Sequence, residues 1–365
     1  MSPVRAFRSL DLEEVAGLHW RSFSQGRGAA PAGLQAYFAD MFLKSPWQDP
    51  ESASLVYENG QGRIVGFLGV IPRPMEMDGK AIRATLDTQF MVAPGAGGLV
   101  AFDLVKRLFM GSQDVAFSDE NHDKTKAVWE RLGGTSVPIL SLRWTRILRP
   151  AQFIAATAAR RLSGRWIAGP LSLTGRIVDG TLSLVAGHRM RPTPSPLVAE
   201  DLTASAWLTL ESELAKSYRL RMTYTPEAAQ WLFPRLADKR CHGRLTGAAL
   251  RDTAGRLVGW YLYYIQKGNT AQVLTIGARD RAAGPVLDHL FADAWRRGAM
   301  AVSGRMEPAY LKELTDRQCL VNRGYAWTCV YARRPDIVQA FCRGQVRLTR
   351  LDGEWWMRFQ EVCAP

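Results

Sequence analysis

The sequence predicts two tandem α/β domains, and three observations carry that expectation. The chain has 365 residues, more than one ordinary domain core accommodates and enough for two of about 150 to 180 residues. Each half contains a strand-rich stretch followed by a strand, a loop and an amphipathic helix. A short segment recurs: GRIVGF at 62–67 returns as GRLVGW at 255–260, and an internal repeat outweighs any single motif in assigning architecture.

In the first half, residues 54–58 (SLVYE) and 63–70 (RIVGFLGV) are β-rich runs separated by NGQG at 59–62, which is hairpin chemistry because Asn and Gly tolerate positive φ. Residues 83–92 (RATLDTQFMV) form the next strand and stop at Ala93, Pro94 and Gly95. Val100, Leu104, Val105, Leu108 and Phe109 then recur at helical spacing. A short strand at 114–117, a second amphipathic helix over about 122–132, the stop signal Gly133-Gly134 and a last strand complete the unit. In the second half a strand at 271–277 (AQVLTIG) leads through a charged loop containing Gly284 to a helix bearing Val286, Leu287, Leu290, Phe291 and Trp295. WERLGG at 129–134 corresponds to LVNRGY at 320–325. The expected boundaries are an N-terminal domain over 1–148, a linker over 149–200 and a C-terminal domain over 201–365. The linker, with apolar runs at 153–162 and 166–185 interrupted by single Arg residues, has a basic amphipathic character suited to packing on a domain or to touching a membrane.

Composition narrows the partners. The chain is 47% hydrophobic and 10% aromatic, which is globular rather than disordered. Its formal charge of +13 is compatible with nucleic acid, anionic lipid or a polyphosphate ligand, but no helix-turn-helix, zinc-finger or RNA-recognition signature accompanies it, so nucleic acid is not an expected partner. Cys241, Cys319, Cys329, Cys342 and Cys363 are odd in number, lack a CxxC pair and lie in the second half, which argues against zinc and disulfide frameworks; no metal is expected. No signal-peptide-like or membrane-spanning apolar run is present, so the expected location is cytoplasmic, with peripheral contact at the inner membrane surface as the extension suggested by the basic linker.

The strand, loop and helix at 90–100 (FMVAPGAGGLV) resemble the acyl-donor motif of the GCN5-related N-acetyltransferase (GNAT) superfamily. The run from Asn121 to Gly134, with WERLGG at its end, resembles that family's later motif. Together they cover most of residues 50–145, and a weaker likeness extends over 245–335. The resemblance implies two tandem domains, each a mixed, mostly antiparallel central sheet flanked by helices, and a coenzyme A thioester (acyl-CoA) or acyl carrier protein as donor. Phe90, Met91 and Val92 would carry the pantetheine arm, and Gly97, Gly98 and Leu99 the pyrophosphate, because glycine lets backbone N–H groups approach phosphate at a helix N-terminus. Asn121 and Trp129 occupy the later motif. In the first loop Gly97 stands at the family's Arg position and Val100 and Phe102 at its next glycine positions. The second copy keeps Arg281 and Gly284, with Val286 in its third slot.

Transfer of an acyl group to an amine needs a base and an acid. Asp87 lies on the strand that holds the base in this superfamily, sharing a face with Gln89 and Met91 by two-residue alternation. Asp119, Glu120 and His122 follow the fifth strand and are candidates at its mouth, although charged residues before a helix also serve as caps. The family's thiolate-protonating Tyr falls near Trp129, which cannot donate usefully, so that role is unassigned or passes to water. In the second half Tyr261 and Tyr263 on an aromatic strand, together with Glu307, are candidates for an acceptor groove, with core packing as the competing reading. The resemblance therefore implies an acyl-CoA-dependent N-acyltransferase. Its amine acceptor would be lipid-like, such as a sphingoid base, as in bacterial ceramide synthases of this superfamily; an amino sugar of surface polysaccharide is the alternative acceptor, and a non-catalytic binding protein the alternative class.

Overall fold

The computed structural model describes residues 3–23, 29–161, 192–279, 282–324 and 326–359. The linker run at 166–185, Arg281, Tyr325 and Cys363 lie outside them. In chain order the elements are β1 (Val4–Ala6), α1 (Leu12–Phe23), α2 (Gly33–Phe42), β2 (Leu55–Glu58), β3 (Ile64–Met77), β4 (Lys80–Val92), α3 (Gly98–Phe109), β5 (Val115–Asn121), α4 (Asp123–Arg131), β6 (Thr135–Ser136), β7 (Leu142–Ile147) and α5 (Pro150–Arg161). There follow β8 (Val198–Asp201), α6 (Ala204–Ala215), β9 (Leu220–Met222), α7 (Pro226–Ala237), β10 (Arg244–Arg251), β11 (Leu257–Ile265), β12 (Thr270–Ala278) and α8 (Ala283–Arg296). The chain continues with β13 (Ala301–Arg305), α9 (Leu311–Asp316), β14 (Leu320–Arg323), β15 (Trp327–Ala332), α10 (Pro335–Cys342) and β16 (Val346–Arg347). None of these helices is long and apolar enough to cross a membrane.

The fold is mixed α/β, with two compact units, each built on a mixed sheet. The first unit comprises Met1–Ser141, Ala215–Leu236 and Arg323–Pro365, and its sheet runs β1-β2-β3-β4-β5-β15-β6, with β9 joining β3 and β16 joining β9. The second comprises Leu142–Leu214 and Ala237–Asn322, with sheet order β14-β7-β13-β12-β11-β10-β8. The units therefore interleave in sequence where contiguous halves over 1–148 and 201–365 were expected. The cause is an exchange of closing strands: β7, from the first half, pairs antiparallel with β13, while β15, from the second, pairs antiparallel with β5.

The hairpin expected at 54–70 is present, with Leu55 opposite Leu68 and Glu58 opposite Ile64. Its turn is held by the Asn59 side chain, which accepts the N–H groups of Gln61 and Arg63 at 3.0 Å each. Two strands run further than the sequence suggests. β3 continues through Pro72 and Pro74 to Met77 and turns into β4 across Asp78 and Gly79, both at positive φ. The prolines are tolerated because β2 reaches only Leu68 and β9 begins only at Met75, so the edge between them needs no N–H from the strand. β5 extends to Asn121 because Trp327 of β15 pairs with it there.

In the first unit Val100, Leu104, Val105 and Leu108 of α3 pack on the sheet with Leu68 and Val70. Gly66 makes this approach possible, since a Cβ there would lie 2.6 Å from Val100. In the second unit Val286, Leu287, Leu290 and Phe291 of α8 cover β11 and β12 in the same way.

Candidate active site

β4 and β5 are parallel and paired only at Ala84–Val115, Thr85–Ala116 and Leu86–Phe117. Beyond that point β4 runs on to Val92 and β5 to Asn121 without further pairing, so the sheet splays and leaves backbone groups of β4 without a partner strand. A β-bulge sits at the opening: Phe67 faces Met91 and Gly69 faces Thr88, which puts one extra residue on β4, and Gln89 adopts φ 52°. Gly69 lets Phe42 and the Thr88 carbonyl close in, because a Cβ would lie 2.6 Å from the Phe42 ring.

A cavity of about 210 Å³ fills the splay. Asp87, Gln89 and Phe90 line it from β4, and Ser118, Glu120 and Asn121 from β5. His122 and Thr125 lie at the α4 end, and His19 and Phe23 come from α1. The remaining wall is the C-terminal segment, through Glu354, Arg358 and Phe359. Of the residues the sequence singled out, Asp87, Glu120, His122, Phe90 and Asn121 line this one cavity. Met91 is not: the bulge shifts the alternation, so Phe90 joins Asp87 and Gln89 at the cavity and Met91 is buried.

The electrostatics favour proton transfer. Asp87 is 1% exposed, neither carboxyl oxygen has a hydrogen-bond partner, and burial pushes it up to about 7. The Trp129 indole moderates that rise without reaching hydrogen-bond geometry, and the charge of Asp119 adds to it. Glu354, open to the cavity but otherwise enclosed by protein, is pushed up to about 8 by burial and then by Asp119. Its Oε2 accepts the Gln89 N–H at 3.2 Å. His19 bonds the Gln89 side chain at 3.0 Å, and burial lowers it to about 4, so it is neutral at pH 7. Glu120 is paired with Arg358 at 3.2 Å, and His122 is the N-cap residue of α4 with no capping bond from its side chain.

The segment that supplies Glu354 is locked from below. Asp119 Oδ1 accepts the Glu354 N–H at 2.9 Å. Asp352 accepts the Thr349 N–H at 2.6 Å, the Thr349 hydroxyl at 2.7 Å and the Tyr224 hydroxyl. Arg73, buried with no hydrogen-bond partner, stacks 4.2 Å from the Trp47 ring centre and is balanced by the charges of Asp352 and Asp119. Gly353 lies so close to Asp119 that a Cβ would overlap its carboxylate. Gly353→Ala is therefore expected to destabilise the fold by about 1–3 kcal/mol, the usual cost of overpacking; an unchanged denaturant midpoint would contradict this close approach.

The glycine loop after β4 fits a phosphate ligand. Gly95 and Gly97 hold φ 82° and 86°, Gly97 is the N-cap of α3, and no side chain caps that helix. A Cβ at Gly95, Gly97 or Gly98 would meet nothing within 4 Å, and Leu99 is exposed in the first turn. The uncapped N–H groups are thus accessible to an anion. Val100 points into the core rather than the loop, so its presence at a family glycine position leaves the cradle open. The second copy differs. Gly284 is buried, and a Cβ there would lie 2.6 Å from Arg317, whose guanidinium is bonded to Asp288 and Glu313.

The remaining predicted residues lie elsewhere. Trp129 is fully buried against Phe109, 4.9 Å between ring centres. Tyr261 and Tyr263 are buried in the second unit, with hydroxyls bonded to His289 at 3.0 Å and Asp293 at 2.6 Å on α8. They face this helix rather than a groove, because the strand face they occupy is covered by it. Glu307 is also buried in the second unit. The sequence reading missed His19, Gln89, Glu354 and Arg358; the available signal for Glu354 was an acid held between Asp-Gly and Trp-Trp in an otherwise apolar run.

No family model and no curated protein matches the sequence. Among solved structures the chain is similar to a GCN5-related N-acetyltransferase from Anabaena variabilis ATCC 29413, with TM-score 0.60 and 10% identity over 91% of this chain and 73% of that one. A second, from Kribbella flavida, gives 0.54 and 14% over 90% and 70%. N-myristoyltransferase of Saccharomyces cerevisiae, with bound myristoyl-CoA, gives 0.50 and 13% over 91% and 78%. Splayed sheet, bulged strand and glycine-led helix accompany this likeness, and the chain has a GNAT-like fold.

Proposed function

We propose that the chain is an acyl-CoA-dependent N-acyltransferase whose donor site lies in the first unit. The observation that carries this reading is the placement of Asp87, a buried carboxyl poised near neutrality, in a cavity between splayed strands that continue into the glycine loop. Asp87 takes the proton of the incoming ammonium. The loop residues Gly97, Gly98 and Leu99 hold the pyrophosphate, and the unpaired backbone of Phe90 and Val92 carries the pantetheine and polarises the thioester carbonyl. Coenzyme A, when bound, supplies the activated acyl carbon and a thiol leaving group. His122, at the cavity wall, and Phe23, Phe90 and Phe359 shape the acceptor and acyl path.

For the acceptor we assign a lipid-like amine such as a sphingoid base. The formal charge of +13 and the exposed Ile154 on α5 support it, and the assignment entails peripheral contact at the inner membrane surface. An amino sugar is the competing acceptor. The donor assignment is tested by thermal-shift titration with coenzyme A, acetyl-CoA and palmitoyl-CoA. Saturation at about 100 times Kd should stabilise the protein by about 2.7 kcal/mol. Gly98→Trp should abolish that shift, whereas Gly60→Trp, at an equally open glycine in the β2–β3 turn, should keep it. No shift with any thioester would leave the carrier-protein donor or the non-catalytic reading.

A further inference from the structure

We propose that Glu354, delivered by the C-terminal segment, is the acid that protonates the departing coenzyme A thiolate while Asp87 acts as base; this rests on the acyl-transfer reading above. The acyl-transfer chemistry needs an acid that the motif residues do not supply. A thiolate expelled from a tetrahedral intermediate needs a proton, and the α4 position that resembles the family's Tyr holds Trp129, fully buried. Among the described residues, neither Tyr nor Cys lines the cavity. Its wall does contain a second carboxyl beside Asp87, and the Gln89 N–H, donated at the bulge where β4 and β5 part, anchors Oε2 of that carboxyl at 3.2 Å. In this proposal the other oxygen, Oε1, carries the proton.

The groups around Glu354 keep that proton on. Enclosure, then Asp119 from β5 and Asp87 from β4, push it up, whereas Arg358 of its own segment, paired with Glu120, and the Thr88 hydroxyl pull it down without cancelling the rise; His19 of α1 is neutral. Two neighbouring acids and enclosure disfavour a third negative charge, which is why the carboxyl rises to about 8 and remains a donor at pH 7. Asp119 also fixes its position through the Glu354 N–H, and the Gly353 contact leaves no slack.

The protons balance. Asp87 takes one from the substrate ammonium, the freed amine attacks the thioester carbon to form the C–N bond, and the C–S bond breaks as Glu354 protonates the sulfur. The second nitrogen proton returns to Glu354, and Asp87 releases its own to solvent. The products are amide, free thiol and one proton.

The test uses the full chain, with acetyl-CoA as donor and sphinganine or glucosamine as acceptor. Glu354→Gln should lower kcat by about 10²-fold or more with KM for acetyl-CoA little changed, and Glu354→Asp should recover part of it. The diagnostic arm replaces acetyl-CoA with p-nitrothiophenyl acetate, whose thiolate leaves without a proton. There the Glu354→Gln defect should shrink to nearly nothing, which a merely structural role would not produce. Independently of acceptor, 13C NMR of the Glu354 carboxyl should show it protonated at pH 7. An ionised Glu354, or an equal defect with both thioesters, overturns the assignment while leaving the acyltransferase reading intact. Absence of any coenzyme A shift in the wild type fails that reading and this inference together.

Discussion

Asp87→Asn is expected to reduce turnover of acetyl-CoA by about 10²–10⁴-fold, the range over which positioned general bases act, with coenzyme A affinity unchanged. The amide is close in shape to the carboxyl, so binding survives while proton abstraction does not. The same substitution should stabilise the protein at alkaline pH. Burial raises Asp87 from the ordinary carboxyl value of 3.8 to about 7, so its contribution to stability is present below about pH 4 and is lost as pH rises through 7. Melting curves of wild type and Asp87→Asn should therefore coincide near pH 4 and separate at pH 8, the variant melting higher. A base held partly ionised in a buried cavity is strained in this sense, and removal of the charge relieves it. An active Asp87→Asn enzyme would refute the assignment; a variant that melts lower at pH 8 would show that Asp87 makes a stabilising contact absent from this structure.

Ending the chain at Asn322 is expected to abolish folding of the first unit, even though an N-terminal domain over 1–148 looks complete in sequence. β5 would lose β15, its antiparallel partner, and the cavity would lose Glu354, Arg358 and Phe359. The deletion also removes Val330, Ile337, Phe341, Trp356 and Met357, each fully buried. At about 1.5–3 kcal/mol per such side chain, the loss reaches the whole of a typical net stability of about 5–15 kcal/mol. Circular dichroism and the loss of a cooperative melt would register it. A cooperative fold without residues 323–365 would contradict the interleaved arrangement.

Local signals were read correctly where local physics decides them. The NGQG turn places its hairpin, Gly133 stops α4 at φ 94°, and helical spacing finds α3 and α8. Asp87, Glu120 and His122 line the cavity, and the sequence pointed to them because each lies within a few residues of a motif. Strand alternation failed at Met91, since a bulge is a feature of two strands in register and leaves no mark in one. β3 runs past the strand read at 63–70, through Pro72 and Pro74, because the cost of proline depends on whether a neighbouring strand asks for its N–H.

By itself, the sequence determined the order of the elements and a glycine loop opening a helix after a strand. These follow from propensity and periodicity, which act over a few residues. Only the tertiary structure decided which strands close each sheet, that Gly284 lies against Arg317, and that a C-terminal acid lines the same cavity as Asp87. Each of those depends on contacts between residues far apart in the chain, such as the 235 positions between Asp119 and Glu354, and burial of the two acids together exists only once those contacts form.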